Sequence, residues 1–215
     1  MNTRTQQITQ EFYSLHPDLS FLQEELLKTF QLLSDTFRAG GKLLICGNGG
    51  SSADSEHIVG ELMKGFLLKR PLSIGKKAAF SELFGAEGAA IADALQGALP
   101  TISLSTHTAL NTAFANDVEP SLIFAQQVLG YAQRGDVLLG ISTSGNSKNV
   151  CAAAMTARVC GAKVIALTGQ GGGQLVKLAD RALMAPDTRT FRVQEYHLAI
   201  YHYLCAAIES ELFEQ

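Results

Sequence analysis

Residues 135–150 read GDVLLGISTSGNSKNV, and this stretch decides the fold class. The apolar run at 136–141 lacks the alternation of a half-exposed strand, so it predicts a buried strand. A polar turn follows at 142–147, and an alanine-rich helix is expected at 149–160. A strand, a turn and a helix in this order indicate one unit of a parallel α/β sheet.

The same order of elements recurs along the chain, and one further turn, CGNGGSS at 46–52, is rich in glycine. The other predicted elements are strands at 42–46, 101–104, 163–167 and 181–185, and helices at 20–39, 53–68, 81–95 (one helix or two short ones) and 191–213. Short unalternating strands separated by helices need cover on both faces of the sheet. We therefore predict an α/β three-layer sandwich, flavodoxin- or Rossmann-like, with about five parallel strands.

The composition describes a globular chain without a general affinity for polyanions. Of the 215 residues, 47% are hydrophobic and 17% are charged, which supplies a sizeable core and excludes a disordered chain. The net charge of −3 gives no overall attraction to nucleic acid or to an anionic membrane surface. No apolar run approaches the roughly 20 residues of a membrane span. We expect neither nucleic acid nor membrane as a partner.

The chain contains no segment with the composition of a linker, so residues 1–215 are interpreted as a single domain whose first helix is the one at 20–39. The four cysteines show no CxxC spacing and lie in apolar segments, where free buried thiols are the ordinary interpretation. The N-terminal stretch is polar and lacks the apolar centre of a signal peptide. These features predict a reduced, cytoplasmic protein.

The turn at 142–147 is the stronger of two candidate phosphate sites. It carries four hydroxyls in six residues, those of Ser142, Thr143, Ser144 and Ser147. The turn joins the carboxyl end of a strand to the start of a helix, where unpaired N–H groups and the helix dipole favour an anion. A phosphate monoester fits this arrangement. The alternative is helix capping by Ser147 or Asn146, which needs only one of these side chains.

The turn at 46–52 matches a dinucleotide fingerprint only in part. Ser52 stands where GxGxxG would have its third glycine, and no acidic residue lies at 67–71, near the position where a ribose-binding carboxylate is expected. The P-loop pattern GxxxxGK[ST] is absent. We predict no nucleotide cofactor.

Together, CGNGGSS, GDVLLGISTSGNS, VIALTGQGGG and RVQEYH resemble the SIS (sugar isomerase) domain superfamily. Within it, the chain is similar to the phosphoheptose (sedoheptulose-7-phosphate) isomerases from about residue 20 to residue 214, apart from the central segment. The resemblance implies a homotetrameric aldose–ketose isomerase that converts D-sedoheptulose 7-phosphate into D-glycero-D-manno-heptose 7-phosphate through an enediolate. It also implies a role in carbohydrate metabolism.

The resemblance assigns roles to individual residues. It implies Glu61 as the general base, His202 as the general acid, and one zinc ion per subunit bound by His57, Glu61, Gln194 and His202. The implied substrate-binding residues are Asn48, Gly49, Gly50, Ser51, Ser52, Glu61, Asn116, Asp117, Ser142, Thr143, Ser144, Ser147 and Gln194.

Helical spacing agrees with these roles but does not require them. His57 and Glu61 are four residues apart and share a helix face, although such a pair is more often a solvated surface pair. Gln194 and His202 are eight residues apart, which is roughly 80° of rotation. His197 is an alternative to His202 on the same helix. Residues 116–117 could instead form a turn.

Two further points stay open at this stage. Between His57 and Ser142 the chain is longer than the common form of the family, and the added residues fall within 67–100, where they could reshape the sugar end of the pocket or cover a subunit interface. The alternative function is a non-catalytic SIS protein that binds sugar phosphates or associates with a replication initiator. The presence of both Glu61 and His202 favours catalysis.

Overall fold

The computed structural model describes residues 1–214 and contains one parallel sheet with the strand order β2-β1-β3-β4-β5. The strands are β1 (Leu43–Cys46), β2 (Thr101–Ser103), β3 (Val137–Ser142), β4 (Lys163–Thr168) and β5 (Arg181–Met184). All four neighbouring pairs are parallel. The predicted α/β fold with a five-stranded parallel sheet is confirmed.

Nine α-helices are assigned within the described residues: α1 (Thr3–Leu15), α2 (Gln23–Arg38), α3 (Gly50–Met63), α4 (Ile74–Ala94), α5 (Thr108–Asp117), α6 (Ile123–Tyr131), α7 (Lys148–Val159), α8 (Gly173–Leu178) and α9 (Thr190–Phe213). Short 3₁₀ turns occur at Pro17–Leu22 and Pro120–Leu122. None of these helices is long and apolar enough to cross a membrane.

The strand side chains alternate between two separate cores, as the two-residue repeat of a strand requires. Leu43 and Ile45 point to the face covered by α2, α3 and α9, whereas Leu44 and Cys46 point to the face covered by α6, α7 and α8. Burial on both faces explains the unalternating apolar runs.

The N-terminal region differs from the prediction. The first helix is α1 rather than the one expected at 20–39, which begins at Gln23 after a 3₁₀ turn. Helix α1 carries only two buried side chains, Thr5 and Phe12, so its sequence has little apolar periodicity. It packs along α9, where the Tyr203 ring stacks on Phe12 at 4.6 Å between centroids.

The segment α4 is a helical hairpin that breaks at Gly85, whose φ of 61° lies in the left-handed region. Lys77 Nζ and Asp93 Oδ1 are 2.6 Å apart, although 16 residues of straight helix would separate them by about 24 Å. A Cβ at residue 88 would overlap the Phe80 carbonyl, so glycine lets the two halves meet. Within residues 1–214, no other helix or strand packs closely against this hairpin.

Candidate active site

The two candidate phosphate turns lie side by side at the carboxyl edge of the sheet. The turn at 46–52 follows β1 and the turn at 142–147 follows β3, and these strands are neighbours. The side-chain amides of Asn48 and Asn149 exchange two hydrogen bonds, of 2.9 Å and 2.8 Å, between the first turn and the start of α7. Gly49 has a φ of 56°, which glycine adopts without strain. The two turns therefore form one continuous loop surface.

The hydroxyls of the second turn do not cap the helix behind it. Ser147 occupies the N-cap position of α7 without a side-chain capping bond, and its Oγ lies 2.9 Å from Ser142 Oγ instead. Asn146 Oδ1 accepts from the backbone N–H of Gln174 at 3.1 Å. Ser144 is exposed. The capping alternative therefore does not account for these side chains.

A third loop, TGQGGG at 168–173, supports the second turn from behind. The Gly169 N–H donates to the Thr143 carbonyl at 3.0 Å. Gly145 and Gly172 both have a φ of 66°, and a Cβ at residue 145 would overlap the Gly172 carbonyl. Close contact between these two glycines holds the backbone of the second turn in one conformation.

Three of the predicted chemistry-bearing side chains converge between α3 and α9. His57 Nε2 lies 3.2 Å from Glu61 Oε1 and 3.4 Å from His202 Nε2. The Glu61 side chain is only 14% exposed, whereas that of His57 is 43% exposed, so the cluster opens to solvent on the His57 side. Burial lowers the pKa of His202, and the neighbouring His57 lowers it further. A neutral His202 ring beside an acidic side chain suits proton transfer.

Gln194 lies apart from this cluster. Its amide is in such close contact with Gly50 that a Cβ at residue 50 would overlap Nε2. Gly50 is seven residues before His57 on α3, a distance of about 10 Å along the helix. The structure therefore places Gln194 at the glycine-rich loop and not beside the two histidines.

His197 lies inside the protein. The residue is fully buried, and among residues 1–214 neither ring nitrogen makes a hydrogen bond of normal geometry. Burial lowers the pKa of His197 to about 4, against a smaller opposing effect of the Thr168 backbone. Of the two candidate histidines on α9, the one in contact with His57 is His202.

Asn116 and Asp117 end helix α5 rather than forming a turn. Both residues are exposed, and the Asn116 side-chain amide donates to Asp117 Oδ1 at 2.8 Å. Within the described residues, neither side chain hydrogen-bonds to a predicted site residue outside this pair.

Sequence reasoning missed Tyr201, which contacts His57, and Asp54, which contacts Tyr201. Tyr201 is 2% exposed, and its hydroxyl lies 2.9 Å from His57 Nδ1 and 3.3 Å from Asp54 Oδ1. Burial raises the pKa of both Asp54 and Tyr201. The spacing of Asp54 and His57, three residues apart on α3, was the one available signal, whereas a tyrosine on an apolar helix looks like any core residue.

A buried ion pair fixes the end of α3 that carries Glu61. Arg70 Nε and Glu209 Oε1 are 2.7 Å apart, with both side chains fully buried. The Arg70 guanidinium also donates to the carbonyls of Leu62, at 2.7 Å, and of Glu61, at 3.1 Å. Glu209 in turn accepts three backbone N–H groups from residues 66–68, at 2.6 to 3.0 Å. Each buried charge is therefore hydrogen-bonded, as stable burial requires.

The donor chemistry of the cluster fits zinc. Two imidazoles and one carboxylate are ligands that zinc accepts in catalytic sites, which keep a further position open. As the side chains stand, no group of three His, Cys, Asp or Glu residues within 1–214 forms a cage that could hold a metal ion. The fit therefore rests on the identity and proximity of His57, Glu61 and His202.

Comparison with known proteins yields matches in sequence and in structure. A family model described as SIS domain matches residues 75–169. A phosphoheptose isomerase of Helicobacter pylori (strain P12) is 40% identical over 196 residues, covering 91% of this chain and 88% of that protein. One of Akkermansia muciniphila is 33% identical over 195 residues, covering 91% and 89%.

Two solved structures share the fold over nearly the full chain. The phosphoheptose isomerase GmhA from Neisseria gonorrhoeae superimposes with a TM-score of 0.71 at 31% identity, covering 96% of this chain and 94% of that one. A phosphoheptose isomerase from Francisella tularensis gives a TM-score of 0.74 at 29% identity, covering 96% and 93%.

Proposed function

The chain belongs to the phosphoheptose isomerase family of SIS-domain proteins, as its loop motifs predicted, and from this premise we propose that it is an aldose–ketose isomerase. The proposed reaction converts D-sedoheptulose 7-phosphate into D-glycero-D-manno-heptose 7-phosphate. The observation that carries the proposal is the convergence of Glu61 and His202 on His57, along the helix α3 that begins at the first of the two loop turns.

The phosphate is proposed to bind at the loop surface formed by the turns 46–52 and 142–147. Ser142, Thr143, Ser144 and Ser147 supply neutral hydroxyl donors, and the start of α7 adds backbone N–H groups and its dipole. The first turn continues this surface, joined to the second by the Asn48–Asn149 pair. Its proposed contacts are Asn48, Gly49, Gly50, Ser51 and Ser52. Gln194 contacts Gly50 and so belongs to this end of the site.

The chemical step is proposed to use Glu61 as the base and His202 as the acid. Glu61 removes the proton from C1 of the ketose, which gives an enediolate, and returns a proton to C2. His202 donates its ring proton to the C2 carbonyl oxygen while charge develops there, and it takes up the O1 hydroxyl proton as the C1 carbonyl forms, so the ring returns to its starting state. A ring with a lowered pKa does this as a neutral imidazole. Arg70 holds the backbone of Glu61 and thereby fixes the direction of the base.

We also propose one zinc ion per subunit, held by His57, Glu61 and His202. The family resemblance adds Gln194 as the fourth zinc-binding position. A bound zinc ion supplies Lewis-acid polarisation of the sugar carbonyl. Gln194 lies at Gly50 in this structure, so three of the four positions are close together.

The assembly is proposed to be a homotetramer in the cytoplasm. Large apolar side chains are exposed on the α4 hairpin, with Leu83 73% and Phe84 64% exposed, and Phe21 before α2 is 60% exposed. Clustered apolar side chains of this kind mark interaction surfaces. All four cysteines are free thiols, which suits a reducing compartment.

The test is isotope exchange with a panel of C5 to C7 ketose phosphates in deuterated water, with and without added zinc. Sedoheptulose 7-phosphate should gain deuterium at the exchanging carbon and be converted to the aldose. If no sugar phosphate in the panel exchanges under either condition, while the protein still binds sedoheptulose 7-phosphate, the chain is a non-catalytic binding protein instead.

A further inference from the structure

A hydrogen bond from the backbone of α7 sets the orientation of the Asn149 side chain. The first N–H groups of a helix have no partner inside it, and that of Val150 donates to Asn149 Oδ1 at 3.0 Å. Only the amide oxygen can accept this bond, since the amide nitrogen is a donor alone. The helix therefore fixes which side of the Asn149 amide carries the oxygen and which carries the nitrogen.

The Asn149 amide in turn determines how Asn48 is oriented. Asn149 Nδ2 donates to Asn48 Oδ1 at 2.8 Å, and Asn48 Nδ2 donates to Asn149 Oδ1 at 2.9 Å. If the Asn48 amide were turned over, nitrogen would face nitrogen and oxygen would face oxygen, and both bonds would be lost. Val150 thus orients Asn149, and Asn149 orients Asn48.

The pair leaves Asn48 with one amide N–H for a ligand. Its Nδ2 carries two N–H groups, and within residues 1–214 one of them has an acceptor, Asn149 Oδ1. Asn48 is exposed and lies at the junction of the two turns, where the phosphate is proposed to bind. The remaining N–H is a neutral donor of the same kind as the hydroxyls of Ser142 and Ser144.

We infer that Asn149 is a positioning residue, which holds the Asn48 amide in the orientation that presents this N–H to the bound sugar phosphate. The inference rests on the proposed function, because it requires the sugar phosphate to bind at the loop surface. The loop end of α3 is about 10 Å of helix away from His57. Loss of the pair should therefore weaken binding and spare the chemical step.

Nuclear magnetic resonance of protein labelled with nitrogen-15 in its asparagines reports the pair without any substrate. The side-chain signals of Asn48 are assigned by their loss in Asn48→Ala. In the wild type, the heteronuclear NOE should show this amide to be as rigid as the backbone of α7. In Asn149→Ala it should become mobile on the picosecond-to-nanosecond timescale. Asn149→Asp keeps the oxygen that accepts from Val150 and loses the donor to Asn48, so it should act in the same direction and provides a second variant if the first does not fold.

Asn149→Ala should raise KM for sedoheptulose 7-phosphate about 3- to 10-fold, the usual contribution of one neutral hydrogen bond, with kcat little changed. Calorimetry in the Glu61→Gln background, where turnover is slow, should show Kd rising by the same factor. In the double variant Asn48→Ala/Asn149→Ala, KM should be no higher than in Asn48→Ala alone, because Asn149 acts through Asn48. Partial unfolding would instead lower the active fraction, and with it kcat, at unchanged KM.

The matched control is Asn2→Ala. The Asn2 amide also uses both of its ends, accepting from the Thr5 N–H at 2.8 Å and donating to the Ser210 carbonyl at 2.8 Å. Ser210 lies 16 residues beyond Gln194 on α9, which is about 24 Å of helix. KM and the Asn48 signals should therefore stay as in the wild type. A rise in KM equal to that of Asn149→Ala would show a general loss of stability and overturn the inference.

An Asn48 amide that stays rigid in Asn149→Ala, or a KM and Kd that stay unchanged, overturns the inference even if the protein is an active isomerase. Conversely, a protein without isomerase activity that binds sedoheptulose 7-phosphate more weakly in Asn149→Ala, with a mobile Asn48 amide, refutes the proposed reaction and supports the positioning role. The two proposals can therefore fail separately.

Discussion

Asn48 and Asn149 hydrogen-bond to each other in both directions through their side-chain amides, at 2.9 Å and 2.8 Å. The two residues are separated by 101 positions in the sequence, and they join the loop after β1 to the first turn of α7. A reciprocal amide pair fixes the orientation of both side chains, because each amide uses its oxygen and its nitrogen. The two turns are therefore joined directly through these side chains.

Replacing Ser142 and Ser144 together by alanine should raise KM for the sugar phosphate at least tenfold. The double variant removes two neutral donors from the loop surface, while the backbone of the turn stays held by Gly145 and Gly172. Because the lost donors are uncharged, KM of the wild type should also depend little on salt. Steady-state kinetics at two ionic strengths measure both effects, and an unchanged KM in the double variant would place the phosphate elsewhere.

Glu61→Gln should lower kcat by about 10² to 10⁴, the usual contribution of a general base, because the amide keeps the size of the side chain and loses its basicity. Sugar-phosphate binding, measured by calorimetry, should survive. His202→Asn should behave similarly. His197→Asn is the matched comparison: a buried histidine away from His57 should affect stability and not the chemical step. An inactive His197 variant beside an active His202 variant would show that the roles on α9 are assigned to the wrong histidine.

Arg70→Met should lower the free energy of unfolding by about 3–5 kcal/mol, because it leaves the Glu209 charge buried without its partner. Urea denaturation measures this loss through the transition midpoint. The control is Lys163→Met, which breaks the 2.8 Å pair with Asp180 at a side chain that is 58% exposed. Exposed pairs contribute about 0–1 kcal/mol. Equal losses in the two variants would mean that burial of Arg70 is not what makes its ion pair important.

The protein should lose stability on acidification because of His197. Its pKa in the folded state is about 4, against about 6.5 in an unfolded chain. Between these values the unfolded state binds more protons, so the stability contributed by the neutral ring is present above pH 6.5 and is lost as the pH falls toward 4. For this group alone, about 2 kcal/mol should disappear between pH 7 and pH 5.

The variant His197→Phe separates this effect from the rest of the acid response. Urea midpoints of wild type and variant at pH 7 and pH 5 give the difference directly. The phenylalanine protein should lose less stability than the wild type, and identical losses would contradict the assignment.

Leu83→Asp should reduce the mass of the assembly in solution. If the α4 hairpin packs against another subunit, the leucine becomes buried there, which stabilises the contact by about 1.5–3 kcal/mol, and an aspartate reverses that gain. Val159→Asp, at an 85% exposed position on α7, is the control and should leave the mass unchanged. Light scattering at micromolar concentration measures both. A tetramer that survives Leu83→Asp would show that the hairpin is outside the subunit contacts.

The sheet could be predicted from sequence because its strands are buried on both faces and therefore appear as unbroken apolar runs. Helix α1 could not, because its contacts with α9 involve Thr5, Thr9 and Phe12 rather than a repeating apolar stripe. The hairpin at 74–94 was partly visible as two possible helices. The reversal of chain direction depends on the positive φ of Gly85 and on the close approach of the backbone at Gly88. Neither can be inferred from the sequence.

The candidate site was predictable within each helix and not between helices. The pair of His57 and Glu61 follows from a spacing of four residues. Whether Gln194 joins that pair depends on how α3 and α9 are placed against each other, and the observed contact is with Gly50. Tyr201 gave no signal because its contact with His57 is made by a hydroxyl directed across to α3.

The parallel course of α3 and α9 has a consequence for the size of the molecule that the site accepts. Gly50 touches Gln194 at one end, and His57 touches His202 at the other. The seven residues from Gly50 to His57 span about 10 Å of helix, and a hydrogen-bonded helix does not stretch. The two helices therefore keep these two contacts at a fixed separation. If the phosphate binds at the loop end and Glu61 is the base, a shorter sugar phosphate would leave its carbonyl carbon short of Glu61, and the fixed helix geometry would select for chain length before any hydroxyl of the sugar is recognised.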